Sequence, residues 1–210
     1  MPLHLLLTAG PTREPLDPVR YLGNRSSGQM AAAIAHAAVA LGLPTTVITG
    51  PVSVTYPPAA TVVPVETAQQ MHDQVLHLLP TADLVIMAAA VADFRPATVS
   101  AEKLSRASGP LTLTLEPTPD IARAASARKS PHQRIIGFSL ERDGNLDRAR
   151  HKLLTKNLDM IVYNPLPTMG SSDISPTLLY PSGQQEEIGC RTKASFADIL
   201  MQRALALFPG

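Results

Sequence analysis

Short apolar runs of strand length recur along the chain between segments of helical spacing, and this alternation restricts the fold more than any other feature. The runs lie at residues 3–8, 45–49, 61–65, 84–88, 134–139 and 160–163. Several are apolar throughout, the pattern of strands covered on both faces. Helical spacing occupies residues 27–41, 67–79, 120–128, 146–156 and 194–207. Strand, helix, strand in repetition predicts a doubly wound (Rossmann-like), mostly parallel α/β sheet with helices on both faces. At 210 residues the chain is long enough for one domain with a substantial core, so 1–210 is expected to form a single domain.

Two stretches break the alternation. Residues 94–110 are polar and lead into the alternating run LTLTLE, so they read as a flap beside the sheet. Residues 177–189, TLLYPSGQQEEIG, place Ser182 and Gly183 between two strand-like arms and predict an antiparallel β-hairpin, a possible dimerisation element. A net charge of +1 offers no field for nucleic acid or an anionic membrane surface. The longest apolar run, residues 84–92, is about half a membrane span. The N-terminus lacks the basic lead-in of a signal peptide, and the single cysteine, Cys190, suits a reducing compartment. A cytoplasmic protein is expected.

Chemistry concentrates in residues 8–30, TAGPTREPLDPVRYLGNRSSGQM, a connection far longer than most strand-to-helix loops. Ser26, Ser27 and Gly28 precede a predicted helix, whose N-terminal N–H groups and dipole favour phosphate. A plain serine N-cap would account for the same residues. Arg13 and Arg20 suit bidentate recognition of phosphate or carboxylate, with Glu14 and Asp17 as their nearest acidic neighbours. A second stretch, residues 88–93 (AAAVAD), lies at the carboxyl end of a predicted strand, where ligands bind in open α/β sheets. Asp93 there could hold a ribose hydroxyl or a metal ion, or simply end the strand in a turn. Lys103 in the flap could reach over a phosphate, although most surface lysines do not. Lys152 and Lys156 share an i, i+4 helix face, and Asn164 follows the last predicted strand.

Several motifs are absent. The sequence has no GxxxxGK[ST], no GxGxxG, no HExxH and no GxSxG, which argues against a P-loop, a dinucleotide fingerprint, a zinc protease site and a serine nucleophile elbow.

Five blocks in order, the 8–30 loop, AAAVADFRPATVSAEK, TPDI, GF followed by an acidic residue, and KLLTKNLDMIVYN, resemble the phosphopantothenoylcysteine synthetase family. The resemblance implies a ligase of coenzyme A biosynthesis. Such enzymes activate 4′-phosphopantothenate with CTP and Mg²⁺ (ATP in other members) to an acyl-cytidylate, which the amine of cysteine converts to the amide. By matching position, Asn24 and Lys103 would act in catalysis, and Arg20, Asn24 and Ala90 would hold the substrate. Gly10, Ser26, Ser27, Gly28, Ala89, Asp93, Lys103, Phe138, Lys152 and Lys156 would bind the nucleotide, with Asp93 near the cation. The usual SSGKMG reads SSGQMA, so Gln29 replaces a lysine, and Ser139-Leu140-Glu141-Arg142 replaces AAET. The resemblance further implies a homodimer, with any flavin-dependent decarboxylase on a separate chain. An NAD(P)-dependent reductase and a catalytically impaired partner subunit of the same fold are the competing readings.

Overall fold

The computed structural model describes residues 2–106, 109–141, 145–165 and 173–209. Arg142 and two positions of the 94–110 flap (107 and 108) lie outside the described residues. The first apolar run forms β1 (Leu5–Ala9), buried along its whole length. Its alternate side chains feed two cores. Leu5, Leu7 and Ala9 enter one, and Leu6 enters the other. The remaining parallel strands are β4 (Thr45–Thr49), β5 (Thr61–Pro64), β6 (Leu84–Met87), β9 (Arg134–Glu141) and β10 (Met160–Pro165). They order as β5-β4-β1-β6-β9-β10, the doubly wound arrangement. Between β1 and β6 the connections diverge to opposite sides, which opens a crevice at the carboxyl edge.

Helices α1 (Gln29–Ala40) and α5 (Lys193–Leu205) cover one face, while α2 (Ala68–Leu78), α3 (Ile121–Ser126) and α4 (Leu146–Thr155) cover the other. Alanines on α1 permit close approach to α5, where Phe196, Ala197 and Leu200 are fully buried. Capping chemistry sets most helix starts. Thr67 and Gln70 form a reciprocal capping box on α2, and Asp120, Asn145 and Thr192 cap α3, α4 and α5 through side-chain oxygens. The helices therefore begin and end within two residues of the spans expected from sequence. At α1 the alternative of a plain serine cap is not what forms. The helix starts at Gln29, and its N-cap is Gly28 in the left-handed conformation (φ 77) with no side-chain cap.

The predicted hairpin is present as β12 (Thr177–Leu179) and β13 (Gln185–Glu187). It extends the main sheet antiparallel to β10. Its outer strand carries Gln185, Glu186 and Glu187, with Glu186 held by Arg203 at 2.8 Å, a charged edge that resists further strand pairing. Of the LTLTLE run, only the end is strand. There β8 (Leu115–Pro117) pairs with β7 (Phe94–Pro96) in a two-stranded ribbon. Short ribbons also form from β2 (Arg13–Pro15) with β3 (Tyr21–Gly23), and from β11 (Asp173–Ile174) with β14 (Arg191–Thr192). Among the described residues no helix is long and apolar enough to cross a membrane.

One contact fixes how the 8–30 loop leaves the sheet. A Cβ at Gly50, just after β4, would lie 1.8 Å from the Pro11 carbonyl oxygen. Both are backbone, so neither can yield. Gly50→Ala is expected to cost about 3 kcal/mol by overpacking, seen as a lower urea midpoint at unchanged slope. A wild-type midpoint would contradict the close approach.

Candidate functional site

Beyond the end of β1 the main chain continues in the register of the β1–β6 pair. Thr8 lies opposite Met87, and Pro11 forms an isolated parallel bridge with Ala90. Ala90 donates its N–H to the Gly10 carbonyl at 2.8 Å, and the Thr12 hydroxyl accepts the Ala92 N–H at 2.9 Å. Thr118 completes the seam by donating its hydroxyl to the Ala92 carbonyl at 2.6 Å. Asn24 joins it from the far end of the loop. Its Nδ2 donates to the carbonyls of Ala90 (3.1 Å) and Val91 (2.9 Å), leaving Oδ1 as its remaining polar atom. Three of the segments singled out from sequence thus meet at the carboxyl edge of the sheet.

Three adjoining cavities open along this edge. One of about 200 Å³ is walled by Ser26, Ser27 and Gly28, by Ala89 and Ala90, and by Phe138, with Asn164 and Lys193 also in its lining. A second, of about 560 Å³, lies on the other flank of the loop against Arg13, Asn24, Arg25 and Val52. The third, of about 240 Å³ on the opposite face of the sheet, holds Asp93, Asp120 and Lys156, and shares Ala89 with the first. Gly28 has no room for a side chain, since a Cβ would come within 2.8 Å of Val52. Gly10 (φ 70) is confined in the same way, and it contributes backbone rather than a cavity wall.

Other expected site residues stand elsewhere. Arg20 is paired with Asp17 and also donates to the Leu104 carbonyl at 2.7 Å, so its guanidinium is engaged outside these cavities. Glu14 is not an arginine partner. It is buried and accepts the Ala68 N–H at 2.8 Å, while Arg13 stacks on Tyr21 with its guanidinium carbon 4.4 Å from the ring centroid. Lys103 is exposed on the flap and lines none of the three. Lys152 and Lys156 diverge despite their spacing. Lys152 bonds Glu141 at 2.7 Å, which holds that carboxyl below its ordinary range, whereas Lys156 pairs with Asp120 at 3.0 Å. Sequence reasoning passed over Thr12 and met Thr118 only within the TPDI block; their hydroxyls bridge segments about 80 and 26 positions apart and leave no local pattern. It also passed over Asp17 as a latch, although a D-P-V-R stretch is a turn signal.

No group of three or more His, Cys, Asp or Glu side chains that could hold a metal occurs among the described residues. The carboxylates lining the third cavity are Asp93 and Asp120, and Asp120 is tied to Lys156. Such a set suits Mg²⁺ held mainly by substrate phosphates and water, with one protein carboxylate.

Fold and edge together define a doubly wound α/β domain with cavities opening at its switch point. Residues 2–207 match the DNA/pantothenate metabolism flavoprotein C-terminal domain, and the chain belongs to that family. It is 39% identical over 209 residues to the coenzyme A biosynthesis bifunctional protein CoaBC of Bacillus subtilis (strain 168), covering 97% of this chain and 51% of that protein. It is 38% identical over 210 residues to a cysteine/cysteine sulfinic acid decarboxylase of an unknown prokaryotic organism, covering 97% and 58%. The chain therefore spans about half the length of the curated relatives it matches. The crystal structure of the C-terminal domain of a CoaBC protein superposes with a TM-score of 0.84 at 37% identity, covering 98% of this chain and 95% of that one.

Asp17 carries the electrostatics of the loop. Its buried carboxylate accepts the N–H groups of Val19 and Arg20 at 2.8 Å and of Leu104 at 3.1 Å, besides the Arg20 guanidinium. The guanidinium foremost, against the opposing effect of burial and with the backbone donors adding to it, holds the carboxyl well below the usual range. A folded-state value below the unfolded one, about 3.9, stabilises at all higher pH and is lost as pH falls further. Asp17→Asn should therefore be less stable than wild type at pH 7, with the gap closing below about pH 4 in denaturant titrations. A gap independent of pH would refute the latch.

Proposed function

We propose that this domain is a phosphopantothenate–cysteine ligase of coenzyme A biosynthesis. The observation that carries the reading is the convergence of Asn24, Ser26–Gly28, Ala89–Ala90 and Phe138 on one edge from three separate segments. Its support from relatives is the 37% identity to a domain of a protein named for coenzyme A biosynthesis. The decarboxylation in the other relative's name is not part of the proposal.

In this reading the carboxylate of 4′-phosphopantothenate attacks the α-phosphorus of CTP. A carboxyl O–P bond forms, the α–β anhydride breaks, and pyrophosphate leaves. The amine of cysteine then attacks the acyl carbon, a C–N bond forms, CMP departs, and the amine proton passes to solvent. The protein needs no nucleophile of its own, and positioning and charge neutralisation supply the catalysis. Asn24, its Nδ2 tied to the seam, offers Oδ1 to an amide N–H or hydroxyl of the pantothenate. Ser26, Ser27 and the N–H groups opening α1 receive the triphosphate, Phe138 and Ala89 border the nucleotide, and Asp93 takes the ribose or Mg²⁺. Lys103 closes over the phosphates from a flap whose next residue, Leu104, is already fastened to Asp17 and Arg20. CTP is the preferred nucleotide, with ATP the second choice. A cytoplasmic setting and a single-domain organisation belong to the same reading.

Pyrophosphate release is expected with 4′-phosphopantothenate, CTP and Mg²⁺, and amide product only when cysteine is added. Lys103→Gln should lower turnover about 100-fold with the fold intact by circular dichroism. Absence of nucleotide-dependent turnover with CTP or ATP in the wild type would sink the reading.

A homodimer completes the proposal. Among the described residues, five of the eleven exposed large apolar side chains lie on the 94–117 arm, at Phe94, Val99, Leu111, Leu113 and Leu115, whereas the 177–189 hairpin ends in a charged edge. The arm is therefore the better surface for a second copy. Light scattering should give a dimeric mass that Leu113→Glu halves. A monomeric wild type would oppose it.

A further inference from the structure

The reaction proposed above makes no use of Arg13 or Arg25. Both line the largest of the three cavities, about 560 Å³ between the 8–30 loop and residues 51–54, which follow β4. Among the described residues neither guanidinium makes a hydrogen bond or an ion pair, and no acidic side chain lines the cavity. Two positive charges therefore share this lining without a counter-charge.

Arg13 is held in place by its neighbours. Its N–H is bound to the Glu66 carbonyl at 2.8 Å, and its guanidinium carbon lies 4.4 Å from the centroid of the Tyr21 ring. Gly23, opposite Arg13 in the β2–β3 ribbon, has no side chain to come between the two. A guanidinium stacked on a ring keeps its N–H edge free to donate in its own plane. Ser27 and Ser53 line the same cavity, and among the described residues their hydroxyls have no hydrogen-bond partner. Two guanidinium forks and two hydroxyls offer more donors than the oxygens of a carboxylate accept, and suit the three terminal oxygens of a phosphate monoester. Pro51, Val52 and Val54 add an apolar stretch for the organic group that such a phosphate carries.

We propose that this cavity is a phosphate-monoester site in which Arg13 and Arg25 clamp the phosphate. It shares Arg25, Ser26 and Ser27 with the cavity of about 200 Å³ and differs from it in Arg13 and residues 51–54. The site goes beyond the ligase reading and does not depend on it. Its phosphate belongs either to the far end of the pantothenate chain or to a separate phosphorylated molecule.

The test uses the intact chain, with inorganic phosphate and methyl phosphate as calorimetric probes and acetate as the carboxylate control. Arg13→Gln and Arg25→Gln should each weaken both phosphates about tenfold, and acetate should bind the wild type more weakly than either. Arg13→Lys should recover only part of the affinity, since an ammonium lacks the planar fork. Arg25 is exposed, so Arg25→Gln should keep the wild-type melting temperature. No methyl phosphate binding by the wild type, or binding that neither substitution weakens, would overturn the proposal, as would acetate bound as tightly as methyl phosphate. Steady-state kinetics separate the two sources. Competition between methyl phosphate and 4′-phosphopantothenate, with a higher KM for that substrate in Arg13→Gln, would assign the phosphate to the substrate. Simultaneous binding with an unchanged KM would assign it to a separate molecule, and either result upholds the site. A higher KM for CTP alone in Arg13→Gln would place the guanidinium at the nucleotide and overturn the proposal. Arginine-dependent phosphate binding in a protein without turnover would uphold the site and remove the ligase reading instead.

Discussion

The main-chain seam between residues 10–12 and residues 90–92 is the constraint on which the site depends. A parallel strand pair normally ends where its ladder ends, and the two chains then part toward their own helices. Here the pairing register persists past β1 and β6 through the Pro11–Ala90 bridge. Side-chain hydroxyls from Thr12 and Thr118 carry it further, taking backbone groups that would otherwise be orphaned. The cost is room. Gly50 must pass the Pro11 carbonyl with no Cβ, and Gly10 and Gly28 must crowd Val52. Glycine at these positions is a consequence of how closely the loop is held to the sheet.

From that seam the polar chemistry divides into two arms. One runs outward through Asp17 and Arg20 to Leu104, and couples the 8–30 loop to the flap through charge-assisted hydrogen bonds. A single carboxylate accepts from both segments, so displacement of the flap removes one of its donors. The other arm turns inward to the start of α1, where Gly28 is the N-cap without a side-chain hydrogen bond and Arg25 and Lys193 line the same cavity.

Much of this was legible in the chain. Short apolar runs located all six parallel strands; for the inner ones the reason is that a strand buried on both faces has no polar alternation to preserve, whereas the edge strand β5 is largely exposed. Helix starts were readable wherever a capping side chain does the work, as at Thr67, Asp120 and Thr192. The start of α1 was less legible. Two serines left a cap open as an alternative, and the helix begins instead after Gly28 in the left-handed conformation, with no room for a Cβ beside Val52. Ion pairs were the least legible part. Glu14 looked available to an arginine and instead accepts from the first turn of α2, and Lys152 and Lys156 share a helix face yet reach Glu141 and Asp120 on different elements.

By itself the sequence determined the doubly wound sheet, the placement of small and polar residues at strand ends, and the loop that carries the site. All three follow from local rules of hydrophobic period, capping and glycine freedom acting over a few residues. Only the tertiary structure decided which of those polar groups face one another. Asn24 meeting Ala90, Arg20 drawn to Asp17 and the flap, and Lys193 arriving beside Gln29 each join segments far apart in the chain. Their distances are set by the packing of whole elements, and no local pattern records them.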